Sequence, residues 1–111
     1  MAILYGLPSC DTCRKAKKAL ESKGLNVTFR DVRADPLDKA ALERFISEFG
    51  EKLVNTRSTT WRSLTESQRN HAPIDLLLAH PTLMKRPIVH SDKALTLGWS
   101  PQIESRHLGE G

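Results

Sequence analysis

Two cysteines, Cys10 and Cys13, are the residues of this chain whose type and spacing are best suited to chemistry. They are the only cysteines among 111 residues, and they stand three positions apart where a short apolar run gives way to a basic one. A C-x-x-C pair is typical of thiol redox chemistry, in which one sulfur attacks and the other resolves the adduct. A reactive thiol is therefore the leading hypothesis.

The residues around the pair predict that Cys10 stands at the start of a helix. The apolar run 1–5 has the length of a β-strand, and Gly6 and Pro8 interrupt it. From position 12 onward apolar residues recur at helical spacing, in the same row as Cys13, with lysine and arginine between them. Cys13 should therefore face inward beneath the more exposed Cys10, which suits a resolving sulfur behind an attacking one.

This position predicts a lowered pKa for the Cys10 thiol. At a helix N-terminus the free backbone N–H groups and the positive end of the helix dipole favour a thiolate. Arg14 and Lys15 add positive charge about one turn away. Asp11 is the residue that we expect to cap the first amides of the helix. Together these features predict that Cys10 is the attacking thiol.

Two other interpretations of the cysteine pair stay open. C-x-x-C is also a common zinc-ligand spacing, but zinc needs two further ligands and the chain has no second C-x-x-C. The histidines are scattered singly, at His71, His80, His90 and His107. The cysteines can also be inert, with Cys13 a small core residue. We favour the redox interpretation and expect no metal.

The length and cysteine content are those of one intracellular domain. A chain of 111 residues can bury a core without disulfides or structural metal, so we expect a single domain over 1–111. Two cysteines do not make a secreted framework, and the first residues do not have a signal-peptide pattern. No run approaches the roughly 18 apolar residues of a membrane span. We therefore expect a cytoplasmic monomer that does not bind membranes.

The charge of the chain is modestly positive. Seventeen basic and 13 acidic residues give a formal net charge of +4. Such a charge attracts small oxyanions, glutathione or an acidic protein surface. The chain has six aromatic residues and no basic stripe interleaved with them, so we do not expect direct nucleic-acid binding.

The remaining pattern predicts an α/β protein. The expected elements are a strand at 2–5, a helix at 12–23, a strand at 26–32, a helix at 36–49, a helical segment at 65–80, a strand pair at 88–90 and 94–97, and a short helix at 100–108. Two βα units imply parallel strands joined by right-handed crossovers. This order is that of a thioredoxin-like fold, with a mixed four-stranded sheet, flanking helices and a helical insertion.

Two motifs resemble those of one known family. Residues 8–10, with the sequence PSC, and residues 80–89, with the sequence HPTLMKRPIV, are similar to motifs of the arsenate reductase (ArsC) family, which includes the Spx regulators and the YffB proteins. The segment 55–62, with the sequence NTRSTTWR, resembles the YffB branch most closely. The resemblance extends over nearly the whole chain and implies the same thioredoxin-like fold.

The resemblance implies roles for residues at both motifs. Cys10 stands at the position of the family's nucleophile, and Arg86 at that of an arginine that holds the anionic substrate and the charged intermediate. The bond before Pro87 resembles the cis peptide that shapes the loop facing the active cysteine in thioredoxin-like folds. A guanidinium held there can pair in bidentate fashion with an oxyanion or a glutathione carboxylate. The catalytic residues that we predict are Cys10, Cys13 and Arg86, although Arg86 can also be a plain surface residue.

The chain departs from the family's arsenate reductases at two further arginine positions. A gapless comparison places Asn55 at the first and Trp99 at the second. Arg57 lies two residues after Asn55 and can take the place of the first arginine only if the loop is shaped differently from that of the arsenate reductases. We predict substrate-binding roles for Arg57, Arg14 and Pro87. The incomplete set of arginines does not favour arsenate itself as the substrate.

The resemblance implies one of two functions. The first is a glutathione-linked thiol reductase, in which Cys10 attacks an oxyanion or a glutathione mixed disulfide. Glutathione is then a co-substrate, no cofactor is bound, and either Cys13 or glutathione resolves the adduct, with glutaredoxin as a further partner. The alternative is an Spx-like redox-sensing transcriptional regulator that binds the RNA polymerase α subunit, with the C-x-x-C pair as its switch.

Overall fold

The computed structural model describes residues 1–109, which form four strands, six α-helices and two short 3-10 helices. In chain order the strands and α-helices are β1 (Ala2–Gly6), α1 (Asp11–Ser22), β2 (Val27–Asp31), α2 (Lys39–Phe49), α3 (Thr59–Ser63), α4 (Glu66–Arg69), α5 (Pro73–Ala79), β3 (Ile88–Ser91), β4 (Leu95–Leu97) and α6 (Pro101–Leu108). The 3-10 helices cover Gly50–Leu53 and Pro81–Leu83.

These elements divide into two compact units. The first combines residues 1–31 with the segment that begins at Arg86, and the second is formed by residues 32–85. The first unit contains the sheet together with α1 and α6, and the second contains α2 to α5. The segments around Cys10 and around Arg86 therefore belong to the same unit, although they are far apart in the sequence.

The sheet of the first unit is mixed, with the strand order β2-β1-β3-β4. β1 runs parallel to β2, with Ala2 opposite Val27, and antiparallel to β3, with Tyr5 opposite Ile88. β3 and β4 are antiparallel neighbours. The parallel pair requires a crossover connection, and α1 supplies it. The mixed four-stranded sheet predicted from the sequence is confirmed.

The core of the first unit lies between β1 and α1. Every second residue of β1, beginning with Ala2, is buried, because successive side chains of a strand point to opposite faces. α1 presents a fully buried row to this face, consisting of Cys13, Ala16 and Leu20. The row has helical spacing, as predicted, and its two small members let the helix lie close to the strand.

The second unit is helical. Its longest helix, α2, begins at Lys39 because the side chain of Asp38 accepts a hydrogen bond from the N–H of Ala41 (2.9 Å). The sequence predicted a start at position 36, three residues earlier. α2 buries Leu42 and Phe45 and packs against α5.

The segment predicted as helical at 65–80 contains two separate helices. α4 starts with a capping box, in which Thr65 and Gln68 satisfy each other's backbone N–H groups. α5 starts at Pro73, which is suited to the first turn of a helix and cannot continue one from before it. α3, just before this segment, was not predicted.

Candidate active site

The turn before α1 fixes the backbone of Cys10. Its N–H donates to the C=O of Leu7 (3.0 Å), and its C=O accepts from the N–H of Arg14 (3.1 Å). Cys10 is the N-cap residue of α1, with an extended backbone at φ −83° and ψ 116°. The predicted position at the helix start is confirmed, so the sulfur lies beside the unpaired N–H groups of the first turn.

The environment of the half-buried Cys10 thiol favours its ionised form. Burial acts to raise its pKa, but hydrogen bonds from the side chain and the backbone N–H of Cys13 act in the opposite direction, as do the charge and hydrogen bond of Arg86. The lowering contributions prevail, and the pKa of Cys10 lies below its usual value. The thiolate is the nucleophilic form of cysteine, so this thiol is prepared for attack.

Cys13 has the opposite environment. Its side chain is 0 % exposed in the core between β1 and α1, which confirms the predicted inward orientation. Burial raises the pKa of this thiol to about 12; the nearby Cys10 sulfur adds to the increase, while a hydrogen bond from the Leu7 backbone and the charge of Arg86 oppose it. Cys13 therefore keeps its proton and donates a hydrogen bond to the Cys10 sulfur. Both cysteines are free thiols.

Arg86 is the cation that acts on both sulfurs. It is half-buried, and the peptide bond that joins it to Pro87 is cis, as the resemblance implied. Pro87 is buried, and its C=O accepts a hydrogen bond from the N–H of Gly98 (2.8 Å). This bond ties the segment just before β3 to the residue just after β4. The Arg86 backbone is thereby held near the start of β3 and the end of β4.

Arg14 and Asp11 do not have the predicted surroundings. Asp11 is the first residue of α1 rather than its cap, and its carboxylate forms a hydrogen-bonded ion pair with the Arg14 guanidinium on the exposed face of the helix. The expectation that Arg14 and Lys15 lower the pKa of Cys10 is replaced by a contribution from Arg86. Opposite charges three positions apart on a helix are neighbours on its surface and can pair with each other.

Arg57 belongs to the second unit, whereas the other predicted site residues belong to the first. Its backbone N–H donates to the side-chain oxygen of Asn55 (3.1 Å). Arg57 lines an open concavity of about 620 Å³ together with Lys52, Lys85 and the acidic Glu51. An antiparallel bridge between Val54 and Met84 holds the two segments that carry these cations. The substrate-binding role of Arg57 stays a prediction.

Trp99, at the position where the resemblance implied an arginine in arsenate reductases, contributes an apolar ring. The indole packs against the buried cluster that contains Cys13, and it stacks on the His107 ring with centroids 6.4 Å apart. His107 is buried and lies within hydrogen-bond distance of the hydroxyls of Ser91 and Thr96, at 2.6 Å each. This part of the first unit therefore supplies packing rather than positive charge.

Two further residues contact the cysteine pair and were not identified from the sequence. The backbone of Leu7 bonds to the Cys13 sulfur, and Gly6 lies directly against that sulfur. The Leu7 contact is made by the backbone, so the type of the residue gives no sign of it. Gly6 had a visible signal, since it continues the buried row of β1, but the sequence explained it equally well as a strand breaker.

Within residues 1–109, no group of three or more histidine, cysteine, aspartate or glutamate side chains is placed to hold a metal ion. Over the same range, no helix has both the length and the apolar character needed to cross a bilayer.

A sequence model of the ArsC family matches residues 5–104, which is most of the chain. The chain belongs to the ArsC family. Global transcriptional regulator Spx 1 of Bacillus cereus is 31% identical over 114 aligned residues, which cover 97% of this chain and 87% of that protein. The family membership predicted from the two motifs is confirmed.

Solved structures of ArsC relatives have the same architecture. The YffB (PA3664) protein superposes with a TM-score of 0.88 at 31% identity, covering 97% of this chain and 99% of that one. An ArsC-related protein from Brucella melitensis is 36% identical, with a TM-score of 0.72 and coverage of 94% and 91%. A glutaredoxin from Archaeoglobus fulgidus, at 14% identity and a TM-score of 0.53 over 96% of this chain and 84% of its own, shares the fold alone. The thioredoxin-like fold is confirmed.

Proposed function

We propose that this ArsC-family protein is a glutathione-linked thiol reductase in which Cys10 is the nucleophile. The observation that carries the proposal is the contrast between the two thiols. The pKa of Cys10 is lowered at an accessible helix start, and the pKa of its buried neighbour Cys13 is raised. One sulfur is thus ready to attack, and the other holds a proton behind it.

The proposed reaction begins at the sulfur of a glutathione mixed disulfide. The Cys10 thiolate attacks the glutathione sulfur, a Cys10–glutathione disulfide forms, and the other half of the substrate leaves as a thiolate that takes a proton from water. Arg86 supplies positive charge beside the reacting sulfur while negative charge moves to the leaving group. The substrate disulfide is cleaved without any bound cofactor.

Two routes resolve the Cys10–glutathione disulfide. A second glutathione thiolate attacks the glutathione sulfur of the adduct, which releases oxidised glutathione and the Cys10 thiolate. Alternatively the Cys13 sulfur attacks the Cys10 sulfur, which releases glutathione and leaves a Cys10–Cys13 disulfide. The Cys10 thiolate contributes to the raised pKa of Cys13, and this contribution ends once Cys10 is in a disulfide. Formation of the adduct therefore makes Cys13 easier to ionise. Glutaredoxin is the partner that we propose for reducing the Cys10–glutathione disulfide or the Cys10–Cys13 disulfide.

Oxyanions are the second substrate class in the proposal. Arg86 can pair with an oxyanion in bidentate fashion, and Arg57 and Arg14 are the further cations that we assign to substrate binding. Against arsenate stands the apolar surface of Trp99, which replaces a cation with a ring packed on the core. The mixed disulfide is therefore the substrate that we favour.

The test is turnover by the purified protein, followed by NADPH consumption with glutathione and glutathione reductase. A small glutathione mixed disulfide is offered without glutaredoxin, because glutaredoxin reduces such compounds itself; arsenate is offered in a separate arm with glutaredoxin. We expect turnover of the mixed disulfide, no turnover with Cys10→Ser, and reduced or rerouted turnover with Cys13→Ser. Full activity of the Cys10→Ser protein would refute the assignment of the nucleophile.

A regulatory function is the second candidate, because the chain is 31% identical to a protein described as a global transcriptional regulator over 97% of its own length. In this case a Cys10–Cys13 disulfide would change the affinity for the RNA polymerase α subunit. The measurement is binding to the isolated α subunit by the oxidised and the reduced protein. Equal absence of binding in both states would remove this candidate.

A further inference from the structure

The point of contact between β1 and α1 is unusually tight at Gly6. The Cys13 sulfur lies in the space that a side chain at position 6 would occupy. A Cβ placed there would fall far inside van der Waals distance of the sulfur, and it would lie 3.2 Å from both Cys13 Cβ and Leu4 Cδ2. Cys13 is fully buried, so the displaced sulfur has no solvent to move into.

The backbone of Gly6 does not itself require glycine. The glycines with positive φ in residues 1–109 are Gly24, Gly50, Gly98 and Gly109, and Gly6 is not among them. Gly6 pairs with Asp31 in the parallel ladder between β1 and β2. Alanine can adopt this strand conformation without strain. What position 6 requires is the absence of a side chain, and the atom that occupies the space belongs to the thiol pair.

We propose that Gly6 is a positioning residue of the thiol pair: it leaves open the space in which the Cys13 sulfur rests, and this holds that sulfur in hydrogen bond with Cys10. The inference deepens the proposed function, because it concerns the same two sulfurs, but it does not depend on any substrate. A side chain at position 6 would push the Cys13 sulfur away from its place and weaken the bond that favours the Cys10 thiolate.

The experiment is the pH profile of Cys10 alkylation by iodoacetamide, measured for wild type, Gly6→Ala, Cys13→Ala and the double variant. We expect Gly6→Ala to shift the midpoint upward, in the same direction as Cys13→Ala. The double variant should have the midpoint of Cys13→Ala, because a Cβ at position 6 has no sulfur left to displace. An unchanged midpoint in Gly6→Ala, or shifts that add in the double variant, would overturn the proposal.

A matched control separates positioning from a loss of stability. Ile3 lies on the same strand, with its side chain on the opposite face, so Ile3→Ala should lower the midpoint of urea unfolding without moving the alkylation profile. If Gly6→Ala does not fold, folding of the double variant tests the proposal instead, because removal of the Cys13 sulfur should make room for the new side chain and restore folding. Failure of the double variant to recover would overturn the proposal. Turnover by the wild-type protein tests the proposed function separately, since alkylation needs no substrate.

Discussion

Replacing Arg86 with glutamine removes the cation beside both sulfurs and, with it, the charged hydrogen-bond donor of Cys10. The structure gives Arg86 two effects on Cys10, a favourable charge and a hydrogen bond to the sulfur. A hydrogen bond to a charged group contributes about 1.5–3 kcal/mol, and each 1.36 kcal/mol changes a rate tenfold. We therefore expect kcat/KM for a glutathione mixed disulfide to fall by about 10- to 150-fold.

The pH dependence separates an effect of Arg86 on the pKa of Cys10 from an effect on the charge of the reacting substrate. Because Arg86 lowers the pKa of Cys10, the Arg86→Gln protein should be alkylated more slowly than wild type near neutral pH and at a similar rate at high pH, where both proteins hold the thiolate. If Arg86 also stabilises charge on the substrate, the defect in kcat/KM persists at high pH.

The control is Arg14→Gln, which removes an equal charge from the same unit. Arg14 is exposed and paired with Asp11, so its replacement should leave the alkylation profile unchanged. The reasoning is wrong if Arg86→Gln is alkylated like wild type across the pH range, or if Arg14→Gln shows the same alkylation defect.

Two predictions concern stability. Burial, then the charges of Arg106 and His90, lower the pKa of His107 in the folded protein, so protonation favours the unfolded chain. The contribution of His107 to the free energy of unfolding should be at its full value above about pH 6.5, the pKa of histidine in an unfolded chain, and should decrease as the pH falls from there toward the lower folded pKa. Urea titrations at several pH values measure this decrease. The same decrease in His107→Phe would contradict the assignment. Leu20 is fully buried, so Leu20→Ala should cost about 2–5 kcal/mol, whereas Leu78 is 44% exposed and its alanine variant should stay within about 0.5 kcal/mol of wild type; equal losses in the two variants would contradict the described core.

The sequence predicted those parts of the fold that depend on local pattern. The row of Cys13, Ala16 and Leu20 has a helical period, and its burial followed from that period alone. Boundaries were less predictable, because they depend on single side-chain contacts such as the Asp38 cap of α2. The break before Pro73 was visible in the sequence, but the apolar residues that follow it suggested one continuous helical segment.

The candidate site divides in the same way. Cys10 at the helix start could be predicted from its neighbours, whereas Arg86 was indicated only by the family motif, since 76 positions separate it from Cys10 in the chain. The charges nearest in sequence were misleading, because Arg14 has Asp11 within one helical turn. The contact between Gly6 and the Cys13 sulfur arises only when strand and helix pack, and no local pattern records it.

Because Cys13 is completely buried, labelling of its thiol reports on local opening of the first unit. An alkylating reagent in solution can reach one sulfur of the folded protein, and it reaches the second only when α1 separates from β1. In a Cys10→Ser protein, the rate at which a single label appears therefore counts openings of the first unit. The same barrier applies to any oxidant in the solvent, so a folded molecule carries at most one external adduct at a time.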